Sequence, residues 1–197
     1  MPVAVVGWQV EHPAVDVVRT SDERGMALAV DHLVDLGHHR ITHIDGGVGP
    51  ISASRRNGYA KAMRTHGLDR EIRVVPGGET QLDGQRAGRL LLDEKELPTA
   101  VVAFNDDVAV AAMGAIAQQG IDVPDRLSIV GWDDGDAAAH SPIGLTSVAQ
   151  RVDLMARSVM ERIVARIEGR RVDSREIVLD PELRARLSTA EVAVLMS

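Results

Sequence analysis

Three short polar clusters hold the residue types that could do chemistry: Asp45-Gly46-Gly47, Asn105-Asp106-Asp107 and Asp133-Asp134-Gly135-Asp136, with Arg55 and Arg56 between the first two. Carboxylates that accept hydrogen bonds, a carboxamide that both donates and accepts, and a guanidinium that donates in a fork form the set that grips a hydroxyl-rich ligand. Any one of these Asp or Asn residues reads equally well as the N-cap of a following helix. Three clusters together point to a binding site. The parts of other chemistries are missing. There is no cysteine, which excludes a thiolate zinc site, a cysteine nucleophile and a disulfide scaffold. Neither a phosphate-binding G-x-x-x-x-G-K-[ST] loop nor a G-x-S-x-G nucleophile elbow occurs. Gly47 and Gly49 supply part of a dinucleotide fingerprint, but Ser52 stands where its last glycine belongs. His38, His39 and His43 cluster without a further ligand at metal spacing, and the acidic trio Asp133, Asp134 and Asp136 lacks the lysine of a phosphoacceptor site. No catalytic residue, metal ligand or cofactor is assigned, and the chain reads as a binder rather than an enzyme.

The elements that must position these clusters alternate regularly. Val3 to Val6 is a short apolar strand, and Thr20-Ser21-Asp22-Glu23 reads as a capping box with Thr20 as N-cap. A helix then carries Met26, Ala29, Val30 and Leu33 at helical spacing until Gly37 ends it, and Arg40 to Asp45 is the next strand. The same grammar predicts a helix from Ser52 to His66, a strand Ile72 to Val75, a helix Leu82 to Leu92, a strand Ala100 to Phe104, a helix Asp106 to Gln119 and a strand Leu127 to Trp132. Strands separated by helices of this length pair in parallel through right-handed crossovers, so the fold class is α/β with doubly wound parallel sheets. In such sheets ligands bind beyond the carboxyl ends of the strands, where all three polar clusters fall. After Leu145 to Val148 the rhythm changes to a long helix from Val152 to Glu168, then a tail from Val172 with a strand at Glu176 to Leu179.

Composition sets outer bounds. The chain has 197 residues, 45% apolar and 26% charged, which is globular rather than disordered. Lys plus Arg number 22 against 29 Asp plus Glu, a net charge of -7, so the basic field that drives binding to phosphate backbones is missing. No apolar run approaches the roughly 20 residues of a membrane span, and Met1-Pro2-Val3 opens without a signal-peptide core, which together predict a cytoplasmic location with no membrane partner. Aromatic residues are scarce, so any aromatic beside a polar cluster is notable.

Several segments, taken as a series, resemble one known family. VDHLVDLGHHRI (30–41), SRRNGY (54–59), PTAV (98–101) running on to Asn105-Asp106, GIDVPDRLSIVGWDD (120–134) and LTSV (145–148) running on to Gln150 are similar, in order and spacing, to the effector-binding domain of LacI/GalR bacterial transcription regulators. The resemblance implies a two-lobed fold like type I periplasmic binding proteins, with a sugar or similar small metabolite in the interlobe cleft and operator binding controlled allosterically. It implies that Arg55 clamps effector hydroxyls or carboxylates, that Asn105 and Asp133 are strand-end ligands, and that Gln150 faces the cleft from a lobe crossover. Gly7 stands where the family often has an aspartate, and the following Trp8 offers an indole that could stack on a sugar face.

On this reading residues 1–39 are a remnant of an incomplete N-terminal lobe and 40–148 form the C-terminal effector-binding lobe. Residues 149–169 are a crossover helix, and 170–197 a terminal strand and tail. The expected partners are the effector and a second copy in a homodimer. Operator DNA would be reached only through a helix-turn-helix headpiece that this chain lacks. A periplasmic-type solute-binding protein of the same fold is the alternative.

Overall fold

The computed structural model describes residues 1–141, 143–170 and 174–192. In chain order it contains β1 (Val3–Val6), β2 (Val15–Thr20), α1 (Asp22–Asp35), β3 (Ile41–Ile44) and α2 (Pro50–Thr65). A short 3-10 turn (Asp69–Glu71) leads to β4 (Arg73–Val75), α3 (Gln81–Leu92), β5 (Ala100–Ala103) and α4 (Asp106–Ala117). Then come β6 (Ser128–Asp133), α5 (Asp136–Ala139), β7 (Thr146–Ala149), α6 (Val152–Ile167), β8 (Glu176–Leu179) and β9 (Glu182–Arg184). The start of the expected tail at Val172 lies outside the described residues, and its expected strand is β8.

The chain divides into two compact units. The smaller comprises Met1–Ser21 and Gln150–Pro181, and the larger comprises Asp22–Ala149 with the segment from Glu182 onward. The division differs from the one read in the sequence: α1 belongs to the larger unit, not to a remnant spanning 1–39, because its buried face of Met26, Ala29, Val30 and Leu33 joins the same apolar cluster as Tyr59 and Met63 of α2. The end of the chain also returns to the larger unit. There β9 pairs antiparallel with β7, and buried Ser188 bonds to both neighbouring strands: its hydroxyl accepts from Thr146 N (2.8 Å) and donates to the Ile129 carbonyl (2.6 Å).

In the larger unit six strands run in the order β4-β3-β5-β6-β7-β9, all pairs parallel except the last. Strand residues alternate between two cores. Ile41, Val102, Val130, Trp132 and Val148 pack toward α1 and α2, whereas Ile44, Val101, Ala103 and Ile129 pack with residues of α3 and α4. Tyr59 ties one helical layer to the sheet by donating to the Ile41 carbonyl (2.7 Å) and accepting from Arg73 N (3.1 Å). The chain leaves β3 toward the α1–α2 face and leaves β5 toward the α3–α4 face. The loops after these adjacent strands therefore lead to opposite faces, which is the topological switch point at which open α/β sheets bind ligands.

The smaller unit is a parallel sheet β1-β2-β8 with α6 packed on it. Strand β2 went unread in the sequence although Val15, Val17 and Val18 supply its apolar positions. Thr20 is not an N-cap. It ends β2, and its hydroxyl donates to the Gln150 carbonyl (2.9 Å), while Glu23 pairs with Lys61 (2.5 Å) instead of closing a capping box. Asp16 receives Arg166 of α6 in a two-pronged ion pair at 2.9 and 2.8 Å, which holds its carboxyl below the usual range.

Candidate effector-binding site

The sequence-predicted arginine sits at the switch point between β3 and β5. Arg55 lies on α2, one helical turn before Tyr59, and is only 5% exposed. Its Nε donates to Asp22 at the start of α1 (3.0 Å), and one Nη donates to the Phe104 carbonyl just beyond β5 (2.5 Å). The guanidinium carbon lies 4.6 Å from the centre of the Phe104 ring and 4.1 Å from the Trp132 indole. Cation–π attraction to two aromatic rings, with the two hydrogen bonds, holds the planar guanidinium in one orientation. Burial pushes the Arg55 pKa down, while Asp22 and then Asp133 pull it back up. Gly46 makes this arrangement possible, because a Cβ there would stand 2.3 Å from the Phe104 ring.

Asn105 and Asp133 occupy the ends of neighbouring strands, as expected. Asn105 is the N-cap of α4: its Oδ1 accepts from Val108 N (2.8 Å), and its Nδ2 donates to the Glu79 carbonyl (2.9 Å). The capping role weighed in the sequence is therefore the one the fold uses. Asp133 ends β6 at φ 116 and Asp134 follows at φ 54, two successive non-glycine residues in a region that disfavours side chains. Asp134 accepts from Arg186 (2.5 Å), and Asp45 pairs with Arg56. Trp8 and Gln150 belong to the smaller unit, where both lie at carboxyl ends of its own strands. Trp8 is 47% exposed after the Gly7 turn that ends β1, and Gln150 is held at the end of β2 through Thr20.

Sequence reasoning missed Asp22, Phe104 and Trp132, the three residues that fix Arg55. The signal was present for two of them: in a chain this poor in aromatics, Phe104 directly precedes Asn105 and Trp132 directly precedes Asp133. The histidines are spread by the fold. His38 meets Ser128 (3.1 Å) and the Ala190 carbonyl (2.9 Å), whereas His43 lies under α2, 5.4 Å from the Tyr59 ring, with Nδ1 donating to the Val102 carbonyl (2.9 Å). Burial drives the His43 imidazole down to about 4. Among the described residues, no group of three or more His, Cys, Asp or Glu is placed to hold a metal, and no helix is long and apolar enough to cross a membrane.

A doubly wound sheet with its polar residues gathered beyond the carboxyl ends of the strands defines a small-molecule-binding domain of the periplasmic binding protein-like class, and the profile of that domain matches residues 30–189. The chain is 39% identical to a LacI transcriptional regulator from a Rhodococcus species whose crystal structure superposes with a TM-score of 0.92, covering 98% of this chain and 71% of that one. A LacI-family regulator from Enterococcus faecium, solved with bound ribose, superposes at 0.89 with 26% identity over 98% of this chain and 72% of its own. The HTH-type transcriptional regulator DegA of Bacillus subtilis is 34% identical over 96% of this chain. The chain belongs to the LacI family of transcription regulators and spans 57% of DegA's length.

Proposed function

We propose that this chain is the effector-sensing part of a LacI-type transcriptional repressor, and that it binds a sugar or similar hydroxyl-rich metabolite at the carboxyl ends of the larger unit's strands. The observation that carries this reading is the Arg55 guanidinium, buried within cation–π distance of Phe104 and Trp132 and electrostatically coupled to the strand-end Asp133. The ribose bound by the Enterococcus relative supports the ligand class. Asn105 adds its carboxamide at the end of β5. The activity is recognition, in which differential contact with two conformations shifts their populations, and no bond is made or broken.

A repressor of this kind works in the cytoplasm. Operator DNA is proposed to be read by a separate helix-turn-helix segment, since the net charge of -7 makes the domain described here a poor ligand for phosphate. Pairing of two copies into a homodimer is proposed along the β4 edge, where Val74 of β4 and Leu82 and Leu90 of α3 are exposed. Calorimetric titration with a panel of pentoses, hexoses and disaccharides tests the reading. Saturable binding by one class, lost in Arg55→Met, is expected. Binding that survives Arg55→Met unchanged contradicts it.

A further inference from the structure

Beneath the strained turn that carries Asp133 lies a buried carboxylate that the effector reading does not use. Asp106, the first residue of α4, is 2% exposed. Its Oδ2 accepts from Gly135 N (2.9 Å), and its Oδ1 accepts from the Ser147 hydroxyl on β7 (2.6 Å). That same hydroxyl oxygen accepts from Asp134 N (3.1 Å). Both backbone amides that follow Asp133 are thus tied to one carboxylate, one directly and one through a serine. The room for it is made by Gly131, where a Cβ would stand 2.3 Å from Asp106 Oδ1. Two successive residues at φ 116 and φ 54 persist only where their surroundings over-determine them.

We propose that Asp106 is a positioning residue of the effector site: its carboxylate, directly and through Ser147, latches the Asp134 and Gly135 amides and so sets the direction in which Asp133 is presented. The inference rests on the reading of Asp133 as an effector ligand, but the latch itself can be tested without any ligand. Burial, with Asp133 and Asp134 nearby, raises the Asp106 pKa to about 6, against the opposing hydrogen bonds from Ser147 and Gly135. The charged groups around it are Asp107 on α4, Asp133 and Asp134 in the turn, Asp136 on α5, and Arg186, which pairs with Asp134; β7 brings no titratable side chain. Protonation turns two charge-assisted hydrogen bonds into neutral ones, so the latch is tight at neutral pH and slack in acid.

Amide NMR of the full chain between pH 4.5 and 8 is the test. The Gly135 amide shift is expected to inflect near pH 6. Asp106→Asn, which keeps the shape but cannot ionise, is expected to abolish the inflection and to speed exchange of the Gly135 amide about tenfold or more, the loss of one charged hydrogen bond. Ser147→Ala is expected to move the inflection upward, because the hydroxyl bond favours the ionised carboxylate, and to speed exchange of the Asp134 amide. This second variant keeps the test decisive should Asp106→Asn fail to fold. A Gly135 shift with no inflection near pH 6, or an inflection that survives Asp106→Asn or stays put in Ser147→Ala, overturns the proposal. Failure of the effector reading shows differently, as sugars that leave the Asp133 signals unmoved while the Gly135 titration persists.

Discussion

The two units bury their residues in very different ways. Both apolar core clusters lie wholly in the larger unit, sandwiched between its six-stranded sheet and the helices on either face. The smaller unit offers three strands and one helix, of which Val17, Val18 and Met155 are buried, while Val152, Met160, Val164 and Ile167 of α6 are exposed. Ion pairs tie it internally, Asp16–Arg166 and Arg19–Glu176, whereas the larger unit packs its buried arginine against two aromatic rings. A preformed site needs neighbours packed tightly enough to hold a side chain in one orientation. The larger unit has them, and the candidate site is concentrated there.

Removing the arginine should break this contrast most severely. Arg55→Ala strands a buried Asp22 carboxylate and opens a gap beside two rings, and a loss of about 3–5 kcal/mol is expected in urea unfolding monitored at Trp132. A loss below about 1 kcal/mol would mean that this arginine does not hold the larger unit together.

A pH series sharpens the comparison within the larger unit. His43 binds its proton near pH 4 when folded and near 6.5 when unfolded, so the unfolded chain takes up more protons in that window and stability falls as the pH is lowered through it. Asp106 has the opposite sign: its pKa rises from 3.8 to about 6 on folding, so the native state gains stability as the pH falls from 6 toward 4. Each effect is worth up to about 3 kcal/mol, and in the wild type they oppose one another. His43→Leu should uncover the Asp106 gain, with the urea midpoint rising as the pH drops from 6 to 4. A midpoint that falls in this variant would remove His43 from the balance.

Smaller changes are expected in the smaller unit. Arg166→Ala removes the two-pronged partner of Asp16 and should destabilise the smaller unit, read as faster amide exchange in β1, β2 and β8 with β3, β5 and β6 unaffected. Met160→Ala, at an exposed position on α6, should change the unfolding midpoint by less than about 0.5 kcal/mol.

Much of this molecule was legible because α/β alternation is a local signal. Helical spacing and glycine stops locate the five long helices to within a residue or two, while the short α5 went unread, and the rule that ligands sit beyond carboxyl strand ends marks the three polar clusters without any knowledge of the pairing. What escaped depends on adjacency between distant segments. Strand β2 lies in a short stretch after a proline and reads as polar until β1 and β8 flank it. Asp22 looked like part of a capping box because its tie to Arg55 joins residues 33 apart in sequence. The Asp106 latch needs β7 beside β6, a neighbour relation that no spacing in the sequence encodes. Asn105 shows the converse: its local role as a cap was readable, and the fold uses it.

The most direct test of effector recognition at the larger unit is a crystal structure of this chain with the sugar that binds in calorimetry. A ligand hydroxyl within about 3.2 Å of the Arg55 guanidinium, with a second hydroxyl on Asp133, is the predicted result. A sugar seated away from Arg55, Phe104 and Trp132 would contradict it.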